Sequence, residues 1–150
     1  MPSQNKEVFK RLFCEHILAL EDGFTFVASN QPLLHDGRRY IADLILFDRR
    51  SSRIIIVNIK VGNVRDEDTN RLLACVASYK EQEQNTRAES PIGVLIQGHS
   101  DGAQIVHAIA DNDSANVFER MGEALPSKEE LRKLMSDSAA NYARELDTHE

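Results

Sequence analysis

The stretch that decides the fold is residues 40–62, YIADLILFDRRSSRIIIVNIKVG. Two apolar runs, Tyr40 to Phe47 and Arg53 to Lys60, flank a polar turn from Asp48 to Ser52, which predicts two antiparallel strands. Ile54-Ile55-Ile56-Val57 is an unbroken β-branched run, the pattern of a central strand buried on both faces. Upstream, Asp36-Gly37 stands between Leu33-Leu34 and Tyr40-Ile41 as a hairpin turn, so a third strand precedes these two, starting at Phe24-Thr25-Phe26-Val27 after Gly23. Further out, Phe9, Leu12, Phe13, His16, Ile17 and Leu20 recur at helical spacing, which predicts an amphipathic helix over about 4–21 with His16 at the edge of its apolar face.

Downstream, Leu72, Leu73, Val76 and Tyr79 predict a helix running to about residue 84, broken by the polar stretch Asn85 to Ser90. Pro91-Ile92-Gly93-Val94-Leu95-Ile96 then reads as a short buried strand, and the helical crossover before it predicts that it runs parallel to the Ile54 strand. Gly102 to Ala110 reads as a short apolar helix and Asn116-Val117-Phe118 as a last edge strand. Ser127 and Glu130 form a capping box that starts a final acidic helix over about 127–146, with an apolar stripe of Leu131, Leu134 and Met135 suited to packing or to dimerisation. The expected architecture is a single α/β domain over 1–150, a mixed β-sheet flanked by helices with an αβββαβ core at about 7–126.

Composition bounds the function. The 150 residues, 41% of them hydrophobic, fit one compact domain. No stretch has the roughly 18 consecutive apolar residues of a membrane span, and the start MPSQNKEVFKR has no apolar signal-peptide core, so a soluble cytoplasmic protein is expected. Cys14 and Cys75 form no CxxC or Cys/His cluster and read as reduced packing residues. The net charge of −6 is uneven: residues 1–100 hold 13 basic and 13 acidic side chains, and residues 101–150 hold 5 and 11. Within the neutral part, Arg38, Arg39, Arg49, Arg50, Arg53, Lys60, Arg65 and Arg71 would make a positive face if the fold gathers them.

Asp43 is the leading candidate for chemistry, because it interrupts an apolar strand where an uncompensated carboxylate is expensive. Asn58 and Lys60, two residues apart at the end of the central strand, share one face, and antiparallel pairing can bring that face beside Asp43. A competing motif, Gly98-His99-Ser100-Asp101-Gly102, matches G-x-S-x-G between an expected strand and an expected helix. Only 50 residues follow its Ser100, with Asp111, Asp113, His107 and His149 as poorly placed partners and no upstream oxyanion segment, so a plain Gly-rich turn is the preferred reading.

These residues give the chain a resemblance to the PD-(D/E)XK nuclease superfamily, and within it to the YhcG-type nuclease domain. The resemblance covers roughly residues 7–135 and runs without gaps between Gly23 and Gly62. It places the motif Asp at Asp43, the motif Lys at Lys60 and the motif Glu at Asn58, with an additional first-helix acid at Glu7 and Glu15 as the fallback. It implies a restriction-endonuclease-like fold and metal-assisted phosphodiester hydrolysis, with Mg²⁺ or Mn²⁺ held by Asp43, Asn58 and Glu7, and catalysis by Asp43, Asn58 and Lys60. Arg38, Arg39, Arg49, Arg50 and Arg71 are the candidate phosphate contacts, with DNA favoured over RNA as partner and a homodimer open.

Two departures weigh against activity. Asn58 has a carbonyl oxygen but neither the charge nor the basicity of a Glu. Asn70-Arg71 stands where the family tends to carry a Gln, and an arginine there would neutralise Asp43 in place of a metal. The leading expectation is thus a nuclease-like nucleic-acid-processing protein whose metal-dependent hydrolysis is weakened or lost at Asn58, with Glu7, Glu15 or Glu67 as the migrated acid that would preserve activity; the alternative is a catalytically inactive module on the same fold that binds nucleic acid or a protein partner.

Overall fold

A computed structural model describes residues 2–82, 90–99, 101–109 and 115–133, with side chains described from residue 5 in the first of these stretches and from 116 in the last. The elements are α1 (Pro2–Ala19), β1 (Phe24–His35), β2 (Arg38–Asp48), β3 (Arg53–Val61), α2 (Asp66–Gln82), β4 (Ile92–His99), β5 (Gly102–Ile109) and α3 (Ala115–Gly122). A last helix, α4, is described over 128–133. The five strands form one mixed sheet in the order β1-β2-β3-β4-β5. The β1–β2 and β2–β3 pairs are antiparallel and β3–β4 is parallel, as the hairpin turns and the helical crossover predicted.

Each face of the sheet buries one apolar layer. On one side Phe9, Phe13 and Ile17 of α1 pack against Leu44, Leu46, Ile55 and Val57, joined by Val117 and Met121 of α3 and Leu131 of α4. On the other, Leu72, Cys75 and Val76 of α2 pack against Ile45, Ile56 and Leu95. Ile55, Ile56 and Val57 have no exposed surface, which is why β3 carries no polar alternation along most of its length. Gly98 marks where α1 comes closest to the sheet, since a β-carbon there would lie 2.5 Å from the Phe9 ring. The β1–β2 hairpin turns through Asp36 and Gly37, both at positive φ (49° and 78°), the conformation a two-residue primed turn requires.

Two expectations are overturned. Gly102 to Ile109 is strand β5, antiparallel to β4, and not a helix; its side chains alternate half-buried and exposed, a period of two that the high apolar content obscured. Asn116-Val117-Phe118 belongs to helix α3 and not to an edge strand, because Val117 and Met121, four residues apart, both reach the core. The G-x-S-x-G stretch therefore joins two antiparallel strands, which removes the strand-to-helix setting of a nucleophile elbow. Ser100 itself, residues 85–89 of the polar break after α2, and Leu134, Met135 and the remainder of the expected final helix lie outside the described residues. The capping box is formed: the Ser127 N–H donates to Glu130 Oε1 at 3.0 Å and the Glu130 N–H to Ser127 Oγ at 3.1 Å. Glu130 also meets His16 of α1 at 2.8 Å, tying α4 to the first helix.

A buried ion pair that the sequence did not announce holds α3 to the β2–β3 turn. Asp48 has no exposed surface and takes both guanidinium ends of Arg120, Nη1 at 3.0 Å and Nη2 at 2.6 Å, with Ser51 Oγ at 2.6 Å. Arg120 also lies 4.8 Å over the Phe24 ring. Burial pushes the Asp48 carboxyl up, but the hydrogen bonds from Arg120 and Ser51 and the guanidinium charge outweigh it and hold the group below its ordinary value. Arg120→Ala is expected to lower the unfolding free energy by about 3–5 kcal/mol, because it leaves Asp48 buried and unpaired. Since the folded value lies below the unfolded one of about 3.9, the pair's contribution is complete above that pH and is lost as pH falls through the lowered folded value. Urea denaturation of the parent and of Asp48→Asn across the acid range checks this: only the parent should show that acid-sensitive component.

Candidate functional site

β2 and β3 stay in register from Asp48↔Arg53 to Leu44↔Val57. At the next position side chains take over the ladder. The Asp43 N–H donates to Asn58 Oδ1 at 3.1 Å, and the Ile59 N–H donates to Asp43 Oδ2 at 2.8 Å. Both side chains are nearly closed to solvent, with Asp43 5% and Asn58 7% exposed. Because a backbone N–H can only donate, the Asn58 oxygen must face it, which leaves the amide nitrogen directed away from Asp43, on a side chain that also neighbours the Cys75 thiol of α2. Burial pushes that thiol up to about 11, with the Asp43 charge adding and the Asn58 hydrogen bond opposing, so Cys75 is a packing group and not a nucleophile.

Where the strands part, a cleft of about 530 Å³ opens, lined among others by Lys6, Glu7, Arg39, Tyr40, Asp43, Asn58, Asp68 and Arg71. Three of these are carboxylates, and each carries a lysine ammonium. Lys6 Nζ lies 2.9 Å from Asp43 Oδ1, Lys10 Nζ lies 3.0 Å from Glu7 Oε2, and Lys60 Nζ lies 3.5 Å from Asp68 Oδ2. Lys10 is itself buried and also donates to Asn30 Oδ1 at 2.8 Å, so two lysines of α1 fasten its first turns to β1 and β2. Arg39 and Arg71 line the same cleft, and among the described residues neither forms an ion pair.

The sequence-level candidates are thus partly assembled. Asp43, Asn58, Glu7, Arg39 and Arg71 meet in one cleft, with Lys60 at its border through Asp68. Arg71 does not neutralise Asp43; Lys6 does, and the sequence reading missed it. The available signal was a cation one residue from the first-helix acid. Glu15 and Glu67 are exposed and do not line the cleft. The arginines do not form one face: Arg38 sits beside the β1–β2 turn, while Arg49 and Arg50 follow β2 at its other end, roughly 30 Å from Arg39 along a strand rising about 3.3 Å per residue. Arg50 is committed to Asp22 at 2.8 Å.

The donor set does not suit a divalent cation as it stands. Mg²⁺ and Mn²⁺ favour anionic oxygen ligands, whereas Asn58 supplies no charge and a cation would have to compete with the Lys6 ammonium for Asp43 and with the Lys10 ammonium for Glu7. Among the described residues no three His, Cys, Asp or Glu side chains converge as a metal-holding group.

A mixed five-stranded sheet covered by helices on both faces is a restriction-endonuclease-like arrangement. The model of the YhcG PDDEXK nuclease domain matches residues 4–136, and the chain belongs to that family. The Escherichia coli (strain K12) protein named "Putative nuclease YhcG" is 25% identical over 117 residues, covering 78% of this chain and 31% of the relative, so the chain spans about a third of that relative's length. Among solved structures, a repair endonuclease from Pyrococcus abyssi aligns over 75% of this chain and 41% of its own at 18% identity and TM-score 0.46. The structure of SSO0001 aligns over 90% and 58% at 14% identity and TM-score 0.40.

The Lys6–Asp43 contact is partly shielded, with the two side chains 37% and 7% exposed. A double-mutant cycle of Lys6→Met and Asp43→Asn, the latter keeping an acceptor for the Ile59 N–H, is expected to give a coupling energy of about 1–3 kcal/mol in chemical denaturation.

Proposed function

We propose that this domain is a nuclease-fold module that binds nucleic acid in the cleft between β2, β3 and α2 and does not hydrolyse it there. The observation that carries the reading is the pairing of all three cleft carboxylates with lysines while Arg39 and Arg71 keep their charge for a ligand. PDDEXK nucleases generally use divalent metals. Here Asn58 supplies no charge to draw one in, and Lys6 already compensates Asp43. The resulting cleft has a neutral floor and a cationic rim, which is the electrostatics of a phosphate-binding surface rather than of a metal cage.

DNA is the proposed polymer, held through its backbone. Binding should therefore weaken steeply with salt and be indifferent to Mg²⁺ beyond ordinary screening. Arg39→Ala and Arg71→Ala should each weaken binding uniformly across sequences and lower the slope of log K against log salt by about one. Fluorescence anisotropy on duplex DNA and single-stranded RNA, beside cleavage assays with Mg²⁺, Mn²⁺ or EDTA, tests both halves. Metal-dependent cutting that Lys60→Ala abolishes would overturn the proposal in favour of an active enzyme, and absence of binding at low salt would overturn it in favour of a purely protein-directed role.

A further inference from the structure

We infer that Lys6 is the fixed counter-ion of this site, standing in the place of a divalent cation, and that a cation site can be regained only by changing Lys6 and Asn58 together. The inference rests on the proposed reading of the cleft as metal-free. Charge balance carries it. Asp43, a second carboxylate at position 58 and a dication sum to zero, and so do Asp43, Asn58 and the Lys6 ammonium. Mixed combinations fail: a dication over Asp43 and Asn58 leaves one positive charge in excess, and Lys6 facing two carboxylates leaves one negative charge in excess. Both groups concerned are more than nine-tenths buried, where an unbalanced charge is costly.

Geometry agrees with the arithmetic. The ammonium sits 2.9 Å from Asp43 Oδ1 and the Ile59 N–H occupies one lone pair of Asp43 Oδ2, so a metal ion seated on Oδ1 has to displace Lys6. The Asn58 oxygen likewise accepts from the Asp43 N–H, and its amide nitrogen cannot ligate a hard cation. Lys6 is 37% exposed and comes from the first turns of α1, so its loss removes the counter-ion without opening the core.

The test is Mn²⁺ binding, followed by electron paramagnetic resonance of the free ion and by the shift of the melting temperature with added Mn²⁺. Four chains are compared: the parent, Lys6→Ala, Asn58→Glu and the double variant. Saturable one-site binding and a Mn²⁺-dependent rise in melting temperature are expected for the double variant, with at least tenfold weaker binding for the two single variants and the parent. Lys6→Gln with Asn58→Asp repeats the comparison with a shorter acid, in case a glutamate beside Cys75 prevents folding. Equal binding by Asn58→Glu alone would show that Lys6 excludes nothing, and equal binding by Lys6→Ala alone would show that Asn58 is no obstacle. Failure of both folded double variants to bind would also overturn the inference. Failure of the metal-free reading is told apart because it appears in the parent, as one-site Mn²⁺ binding or metal-dependent cutting.

Discussion

A carboxylate at the closed end of an apolar strand has to be compensated, and the functional end of this domain is organised around that requirement. Asp43 is nearly solvent-free, flanked by Ala42 and Leu44, which are fully buried. Leaving it bare would cost several kcal/mol. The compensation comes from the Ile59 N–H on one oxygen and the Lys6 ammonium on the other. The first is available only because β2 and β3 part after Leu44↔Val57, leaving that N–H for a side-chain acceptor. The second requires the start of α1 to reach the split end of the sheet, so placement of the first helix and charge on the strand are one problem.

β2 carries a second buried aspartate near its other end, and the two differ in the cation that answers them. Asp48 meets a two-pronged guanidinium, stacked over Phe24 and tied to the Asp22 carbonyl at 3.1 Å, a rigid arrangement with no surface left for a ligand. Asp43 meets a single ammonium on a long flexible stem, at the wall of an open cleft. Arginine suits a permanent joint between α3 and the turn, while lysine suits a position where the counter-ion borders a binding space. The same residue type on one strand thus serves a packing role at one end and sets the character of a site at the other.

The sheet was legible in the sequence wherever its signals were local. The Asp36-Gly37 turn, the β-branched run at Ile54 and the crossover before Ile92 are each contained in a few residues, and strands β1 to β4 followed from them. β5 and α3 were misread because their apolar content is high enough to fit either period, and only the alternation from Ala103 to Ile109 and the Val117–Met121 spacing separate the two. The site was half legible: Asp43 and Asn58 announce themselves as polar interruptions of apolar strands. The cations that answer buried aspartates do not, since Lys6 and Arg120 sit in amphipathic helices where a charged residue is ordinary, and their partners are set by tertiary packing.

The neutralised floor also matters for what can enter the cleft. A phosphate approaching Arg39 and Arg71 would meet a bare Asp43 as a like charge in a shielded space, where repulsion at an effective dielectric constant of about 20 amounts to roughly 2–4 kcal/mol over 4–8 Å. That is enough to cancel one or two arginine contacts at the rim. In a metal-bearing site the cation removes this repulsion and bridges acid to phosphate. Here Lys6 removes it without bridging, because its ammonium is already spent on Asp43 Oδ1. The lysine pairs at Glu7 and Asp68 extend the same logic along the walls, leaving attraction to the two arginines. Stabilising the fold and lowering the barrier to an anion are then achieved by the same contacts, since the ammonium that answers Asp43 inside the fold also removes its charge from the cleft wall.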